Sequence, residues 1–199
     1  GKGRSAGIEF MAQKTAGKTT GWLSYTLSKS DRKFTKGGIN NGEWFPYKYD
    51  RRHSINLTIN HKFSDRIDIG ASWVFYTGGT STIPEEKTTV IRPHNGANNG
   101  FLWYGTYDNT NSSPTIGDVS YIEHRNNFRL PASHRLNLGV NFNKKTKHGM
   151  RTWNISLYNA YNAMNPAWLY RGHNKQGLSV IKKYTLLPLI PSFTYTYKF

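Results

Sequence analysis

Cysteine is absent from the 199 residues, and acidic residues are scarce, with 11 Asp and Glu against 27 Lys and Arg. The lack of cysteine excludes a disulfide framework, a thiolate metal site and a cysteine nucleophile. No run of about 18 apolar residues occurs, which excludes a transmembrane helix. Hydrophobic residues make up only 36% of the chain. A large apolar interior of the water-soluble kind is therefore not expected.

Aromatic residues, by contrast, are plentiful, at 15% of the chain. A disordered chain of this polarity would lack them, so we expect a folded protein. The net charge of +16 would ordinarily suggest nucleic-acid binding or an anionic membrane surface. Its clusters are short, however, at residues 51–53, 144–148 and 182–183. None forms a long basic arm, and we expect no nucleic-acid partner.

Strict alternation of apolar and polar residues is the clearest pattern in the chain. Ile55, Leu57 and Ile59, for example, alternate with Asn56 and Thr58. Successive side chains of a strand point to opposite faces, so this period predicts half-exposed β-strands. About seven segments carry it, at residues 8–12, 23–27, 54–60, 67–75, 135–142, 153–157 and 192–199. The predicted fold class is all-β and antiparallel.

The connections between these segments alternate in length. Short turns are predicted at residues 15–18, 63–65 and 144–149, and long connections at 29–50, 77–130 and 162–177. Within the last of these, residues 162–168 are predicted to form a tight turn or a short helical loop. Short periplasmic turns and long extracellular loops are typical of outer-membrane β-barrels. If the last strand ends in the periplasm, the parity of seven strands places every short turn on that side.

The two faces of the predicted strands fit the same class. Leu138, Val140 and Ile155 would face lipid, while Asn137, Asn141 and Asn154 (and the other polar positions) would face a hydrated or plugged lumen. The competing interpretation is a soluble β-sandwich or ligand-binding barrel. Its strands would alternate identically, with the apolar residues turned inward.

The last predicted strand has aromatic residues at every second position and ends on an aromatic residue, with Phe193, Tyr195, Tyr197 and Phe199 on one face. It resembles the terminal strand of outer-membrane barrel proteins, which in that class is the recognition signal for the barrel-assembly machinery. Seven stretches, the last of which includes this strand, together resemble in their order and spacing the C-terminal barrel of TonB-dependent receptors of the Bacteroidetes type: GRSAGIEF, GWLSYTLSKSDRKF, FPYKYDRRHSINLTINHKF, ASWVFYTGG, RLPASHRLNLGVNF, LYNAYNAMNP and LLPLIPSFTYTYKF.

This resemblance implies a barrel of about 22 strands around an N-terminal plug. Residues 1–199 would then be the C-terminal portion of the outer-membrane β-barrel, a transmembrane segment of about seven strands, with the plug domain and earlier strands absent from this chain. Implied partners are the lipid bilayer and lipopolysaccharide, the barrel-assembly machinery, and a TonB-type energy transducer that contacts the missing N-terminal part. A surface lipoprotein, or another chain that completes the barrel, would be a further partner.

The long loops carry the candidate ligand contacts. Trp44 and Tyr47 lie in residues 36–49, and Trp103 and Tyr104 in residues 98–107, both beside amide side chains. Aromatic faces next to amides suit a siderophore, glycan or peptide. The alternative is that these aromatics pack the loops together or lie at the lipid interface.

Catalytic and metal-binding patterns are weak. Residues 3–7 match G-x-S-x-G, but they run into an alternating segment and not into a strand, sharp turn and helix. Asp50 and His53 are near in sequence, without a nucleophile or a second carboxylate beside them. The seven His are dispersed. We therefore expect no enzyme activity, metal site or cofactor in this chain.

The function expected from these features is import of a scarce nutrient by a TonB-dependent outer-membrane receptor, to which this chain supplies barrel wall and extracellular loops. Two alternatives belong to other classes. One is a structural or adhesive outer-membrane barrel without transport, and the other is a soluble basic β-sheet protein that binds polyanions. Extraction of membranes distinguishes the soluble-protein hypothesis from the two outer-membrane hypotheses. A plug and a transducer-binding segment in the upstream sequence would separate transporter from adhesin.

Overall fold

The computed structural model describes residues 1–84, 86–92 and 115–199, and this part of the chain is all-β. The strands are β1 (Lys2–Lys14), β2 (Thr19–Lys33), β3 (Phe45–Pro46), β4 (His53–Lys62), β5 (Ile67–Tyr76), β6 (Thr80–Ser81), β7 (Glu86–Arg92), β8 (Thr115–Tyr121), β9 (Phe128–Arg129), β10 (Ser133–Thr146), β11 (Gly149–Tyr158), β12 (Pro166–His173), β13 (Ser179–Thr185) and β14 (Ile190–Lys198). A short 3₁₀ turn, Ile39–Gly42, lies between β2 and β3. Within the described ranges no helix has the length and apolarity to cross a membrane.

Seven long strands form one antiparallel sheet in the order β1-β2-β4-β5-β10-β11-β14, with β3 paired to β2. Each long strand pairs with the next long strand along the chain, so the sheet is a continuous meander. All seven alternating segments of the sequence lie within these strands, except that Phe199 follows the last residue of β14. The prediction of an all-β antiparallel fold is confirmed, while a closed barrel of about 22 strands in a membrane stays a prediction.

The register of the sheet aligns the apolar residues of neighbouring strands on one face. Val140 pairs with Ile69 on one side and Ile155 on the other, and Ile155 pairs in turn with Phe193. This apolar face is not covered by any layer of the described chain: Ile155 is 50% exposed and Phe193 63%. Among the side chains that the structure describes, Phe45 is the one buried hydrophobic residue. The described residues therefore give the sheet no apolar core.

The opposite, polar face carries a network of amide, hydroxyl and carboxylate groups. Asn141 Nδ2 donates to Asp68 Oδ2 over 2.6 Å, and Asn154 Nδ2 donates to Asn141 Oδ1 over 2.7 Å. Asn143 Nδ2 donates to the other Asp68 oxygen over 2.8 Å and accepts from Thr152 Oγ1 through its own side-chain oxygen. Because side chains on neighbouring strands satisfy one another's hydrogen-bonding groups, these polar residues can line a sheet face at little cost in free energy.

The connections alternate in length as expected, with two corrections. Residues 15–18, 63–66 and 147–148 form short turns at one end of the sheet, and the long connections lie at the other end. The turn predicted at 144–149 is shorter, because residues 144–146 belong to β10 and Gly149 begins β11. Residues 162–168 do not form a tight turn or helical loop, because strand β12 begins at Pro166. β12 pairs with β13, and Trp168 stacks on Tyr184 with ring centroids 4.2 Å apart. Proline is tolerated as the first residue of a strand, so it does not prevent this hairpin.

Candidate functional site at the long-loop end

Asp50 is a buried, ion-paired carboxylate at the long-loop end of the sheet. It is 1% exposed and lies just before β4. Its Oδ2 atom is 2.6 Å from Arg129 Nη2 and 3.1 Å from Arg52 Nε, and its Oδ1 atom accepts a hydrogen bond of 2.7 Å from the backbone N–H of Ser30. A buried carboxylate needs such partners, because burial without them strongly disfavours the charge.

The pKa of Asp50 reflects these opposing effects. Burial by itself raises the pKa, but the hydrogen bond from Arg129, the Ser30 N–H and the charges of Arg52 and Arg129 together hold the pKa below the ordinary value of 3.8. Asp50 is therefore ionised at neutral pH, and it neutralises one of the two arginine charges beside it.

The same arginine joins two long connections that are far apart in sequence. Arg129 Nη1 donates to the backbone carbonyls of Asp50 and Gly78 over 2.8 and 2.9 Å. Two asparagines add to this junction: Asn126 Nδ2 donates to the Pro46 carbonyl, and Asn40 exchanges two hydrogen bonds with the backbone of Arg125. The connection before β4 and the segment before β10 are thus fixed to each other.

The candidate ligand contacts Trp44 and Tyr47 do not lie together. The guanidinium of Arg4 lies 4.3 Å from the ring centroid of Trp44, and that of Arg32 lies 4.3 Å from the Tyr47 ring. Arg4 is paired with Asp31, the neighbour of Arg32, so the two arginines occupy opposite faces of the β1–β2 hairpin. Each aromatic packs against one face, and the pair does not form one aromatic clamp.

The surroundings of these two residues differ. Trp44 lines an open cleft of about 620 Å³ together with Lys2, Lys33 and Lys36. Tyr47 packs edge-on against Tyr49, with centroids 5.5 Å apart. The other two predicted contacts, Trp103 and Tyr104, lie outside the described residues.

A row of alternating arginine and tyrosine side chains lies on the polar face at this end of the sheet. We call it the Arg–Tyr row; it consists of Arg51, Tyr76, Arg135 and Tyr158. The Arg51 guanidinium lies 3.9 Å from the Tyr76 ring centroid, and that of Arg135 lies 4.4 Å from the Tyr158 ring centroid. Arg135 Nη1 also donates to the Tyr158 hydroxyl. Arg135 pairs with Val74, two residues from Tyr76 on the same face of β5, which makes the two pairs neighbours.

Sequence reasoning missed this row. Arg51 was visible as part of a short basic cluster, and Arg135 as a polar position of the strand that contains Leu136. The signal that unites them is the strand register, which pairs β10 with both β5 and β11. Alternation alone does not give that register.

The weak catalytic patterns of the sequence take ordinary structural roles. Residues 3–7, which match G-x-S-x-G, are extended within β1 and make no turn. Asp50 is bound by arginines, whereas His53 Nδ1 lies 3.0 Å from the Tyr25 hydroxyl. In the described parts of the chain no three His, Asp or Glu side chains are close enough together to hold a metal ion.

The four residues of the predicted assembly signal lie on or directly after β14. Phe193 and Tyr195 contact the Trp153 ring at centroid distances of 5.1 and 4.5 Å. Tyr197 and Phe199 have centroids 6.2 Å apart, and Phe199 is fully exposed. The aromatics therefore share the apolar face, at an edge of the sheet.

Comparison of the chain with protein-family models, with characterised proteins and with solved structures found no match.

Proposed function

We propose that this chain is the C-terminal part of the barrel wall of a TonB-dependent outer-membrane receptor that imports a scarce nutrient. The observation that carries the proposal is the aligned, uncovered apolar face. The seven strands pair so that their apolar side chains lie on one face of the sheet. The described chain provides no layer that covers this face. Lipid is the environment in which such a face is stable while the opposite face remains polar.

The length of the strands supports this proposal. The seven strands of the main sheet contain 9 to 15 residues. A tilted strand needs about 9–11 residues to cross the hydrocarbon core of a bilayer. Hydrogen bonds within the meander satisfy the backbone groups between neighbouring strands, as a lipid environment requires, and the outer edges of β1 and β14 would pair with further strands of the complete barrel.

Aromatic residues with polar atoms lie at both ends of the apolar face. At the long-loop end, Trp73 Nε1 donates to the Tyr161 hydroxyl over 3.1 Å, and the same hydroxyl lies 2.9 Å from His134 Nδ1. At the short-turn end, His61 packs against Phe63 with ring centroids 4.4 Å apart. Rings that are apolar in body and polar at one edge favour the two membrane interfaces, so these groups support a band of lipid contact between them.

The transport mechanism follows from the resemblance of the sequence to such receptors. Extracellular loops and plug would capture the ligand, and a periplasmic transducer would drive rearrangement of the plug. This chain supplies wall and loops, and the longer protein supplies plug and transducer contact. Its partners would be lipid and lipopolysaccharide on the apolar face, the barrel-assembly machinery at β14, and a surface lipoprotein or another chain at the loops and edges.

Fractionation of cells followed by a binding assay tests the proposal. We expect the full-length protein to float with outer membranes, to resist carbonate extraction, and after purification in detergent to bind the periplasmic domain of the energy transducer. Recovery in the soluble fraction would overturn the membrane assignment and favour a basic polyanion-binding protein. Membrane insertion without binding to the transducer would favour an adhesive or structural barrel.

A further inference from the structure

We infer that the Arg–Tyr row binds an anionic ligand, a small molecule that carries carboxylate or phosphate groups. This inference rests on the proposed function and names the substrate class that the receptor would accept. The site would lie on the polar face at the long-loop end, where a ligand captured by the loops would first meet the sheet.

The charge balance of this region is the first argument. Four arginines lie at this end of the sheet, at positions 51, 52, 129 and 135, and the carboxylate among them is that of Asp50. Asp50 contacts Arg52 and Arg129, whereas Arg51 and Arg135 make no ion pair within the described part of the chain. An excess of fixed guanidinium groups on a sheet face attracts anions, and its paired N–H groups match carboxylate and phosphate geometry.

The arrangement of the two unpaired arginines is the second argument. Each guanidinium stacks on a tyrosine ring, which holds its plane in place and leaves N–H groups free to donate. Arg135 is held further by its bond to the Tyr158 hydroxyl. A positioned guanidinium loses less entropy on binding than a mobile one, so these two residues are prepared for a ligand.

The experiment is equilibrium dialysis of the purified full-length protein against labelled inorganic phosphate and, separately, labelled citrate, at physiological salt. We expect at least one of the two anions to bind, and Arg51→Gln and Arg135→Gln each to weaken that binding about tenfold, as loss of one charge-assisted contact predicts. Arg51 is exposed, so its substitution leaves folding intact. Phosphate without citrate would assign phosphorylated ligands, and citrate without phosphate would assign polycarboxylates.

Arg66→Gln is the matched control, since Arg66 lies in the exposed turn at the opposite end of the sheet and its loss changes the net charge equally. It should leave binding unchanged. If Arg66→Gln weakened binding equally, the loss would reflect net charge and not a specific site, and the proposal would be overturned. Failure of the folded protein to bind either anion would also overturn it. These failures leave membrane insertion and transducer binding untouched, so they are distinguishable from failure of the proposed function.

Discussion

Trp153 and Tyr195 are directly paired across β11 and β14, with ring centroids 4.5 Å apart, yet they remain 44% and 47% exposed. Phe193 extends the same contact and is 63% exposed. An aromatic cluster of this size on a water-soluble sheet would ordinarily be covered by a second layer. Its exposure supports an apolar surrounding supplied from outside the chain.

The buried Asp50 gives a prediction about pH. Because its pKa is depressed in the folded protein, the stabilisation from this group is present above the ordinary value of 3.8 and is lost as the pH falls below it, through the lower pKa of the folded state. Asp50→Asn should cost about 2 to 3 kcal/mol at neutral pH, as expected for a hydrogen-bonded charged group. Thermal unfolding in detergent from pH 7 down to about pH 2 measures both effects.

The control for Asp50→Asn is Asp65→Asn. Asp65 pairs with Lys62 over 2.9 Å, but its side chain is 82% exposed in a turn. Exposed pairs contribute little to stability, so this variant should unfold like the original protein. Equal destabilisation by the two variants would contradict the assignment of Asp50 as the residue that holds the long connections together.

Gly149 gives a prediction about the pairing of β11 with β14. Its φ is +153°, and an added Cβ would overlap the Lys198 carbonyl oxygen. Gly149→Ala should therefore push β14 away and cost more than about 1 kcal/mol, beyond the usual gain of alanine over glycine. At Gly139 an added Cβ meets side chains no nearer than 3.5 Å, so Gly139→Ala is the matched control. Chemical unfolding of both variants in detergent compares them, and equal stability would show that the close approach is unimportant.

Phe199 gives a prediction about assembly. We expect deletion of Phe199 to lower the amount of receptor inserted in the outer membrane without lowering synthesis, because β14 would be presented to the assembly machinery by its aromatic face. Phe199→Trp keeps an aromatic ring and should insert normally. The measurement is the ratio of folded protein in outer membranes to total protein, from gel mobility of unheated samples. Normal insertion of the deletion variant would contradict the role of this residue.

The strands were predictable because their signal is local. Alternation of Ile55, Leu57 and Ile59 with polar residues requires no knowledge of the neighbouring strand. The β12–β13 hairpin was missed because Pro166 and the adjacent asparagines are typical of turns, while the pairing of Trp168 with Tyr184 that favours strands is nonlocal.

The candidate site was harder to predict than the strands. Trp44 and Tyr47 were identified by composition, but composition does not reveal that Arg4 and Arg32 hold them on opposite faces of a hairpin. The Asp50–Arg129 contact joins residues 79 positions apart, and no local pattern encodes it. Sites built from loop contacts depend on the register and packing of the whole sheet, which local patterns in the sequence do not reveal.

The central claim is that the apolar face of this sheet contacts lipid, and a spin label placed on each face tests it most directly. Ile155 and Ser156 are adjacent in β11 and point to opposite faces. None of the 199 residues is a cysteine, and any cysteine elsewhere in the full-length protein is first replaced by serine, so that the label attaches at one position. In the full-length protein in a bilayer, we expect a label at Ile155→Cys to collide with membrane-soluble oxygen more often than with a water-soluble nickel complex. The ratio of oxygen collisions to nickel collisions should be lower for a label at Ser156→Cys than for the label at Ile155→Cys. Preferential collision of the Ile155→Cys label with the nickel complex, or poor access of both reagents to it, would place that face in water or inside a protein core and contradict the account.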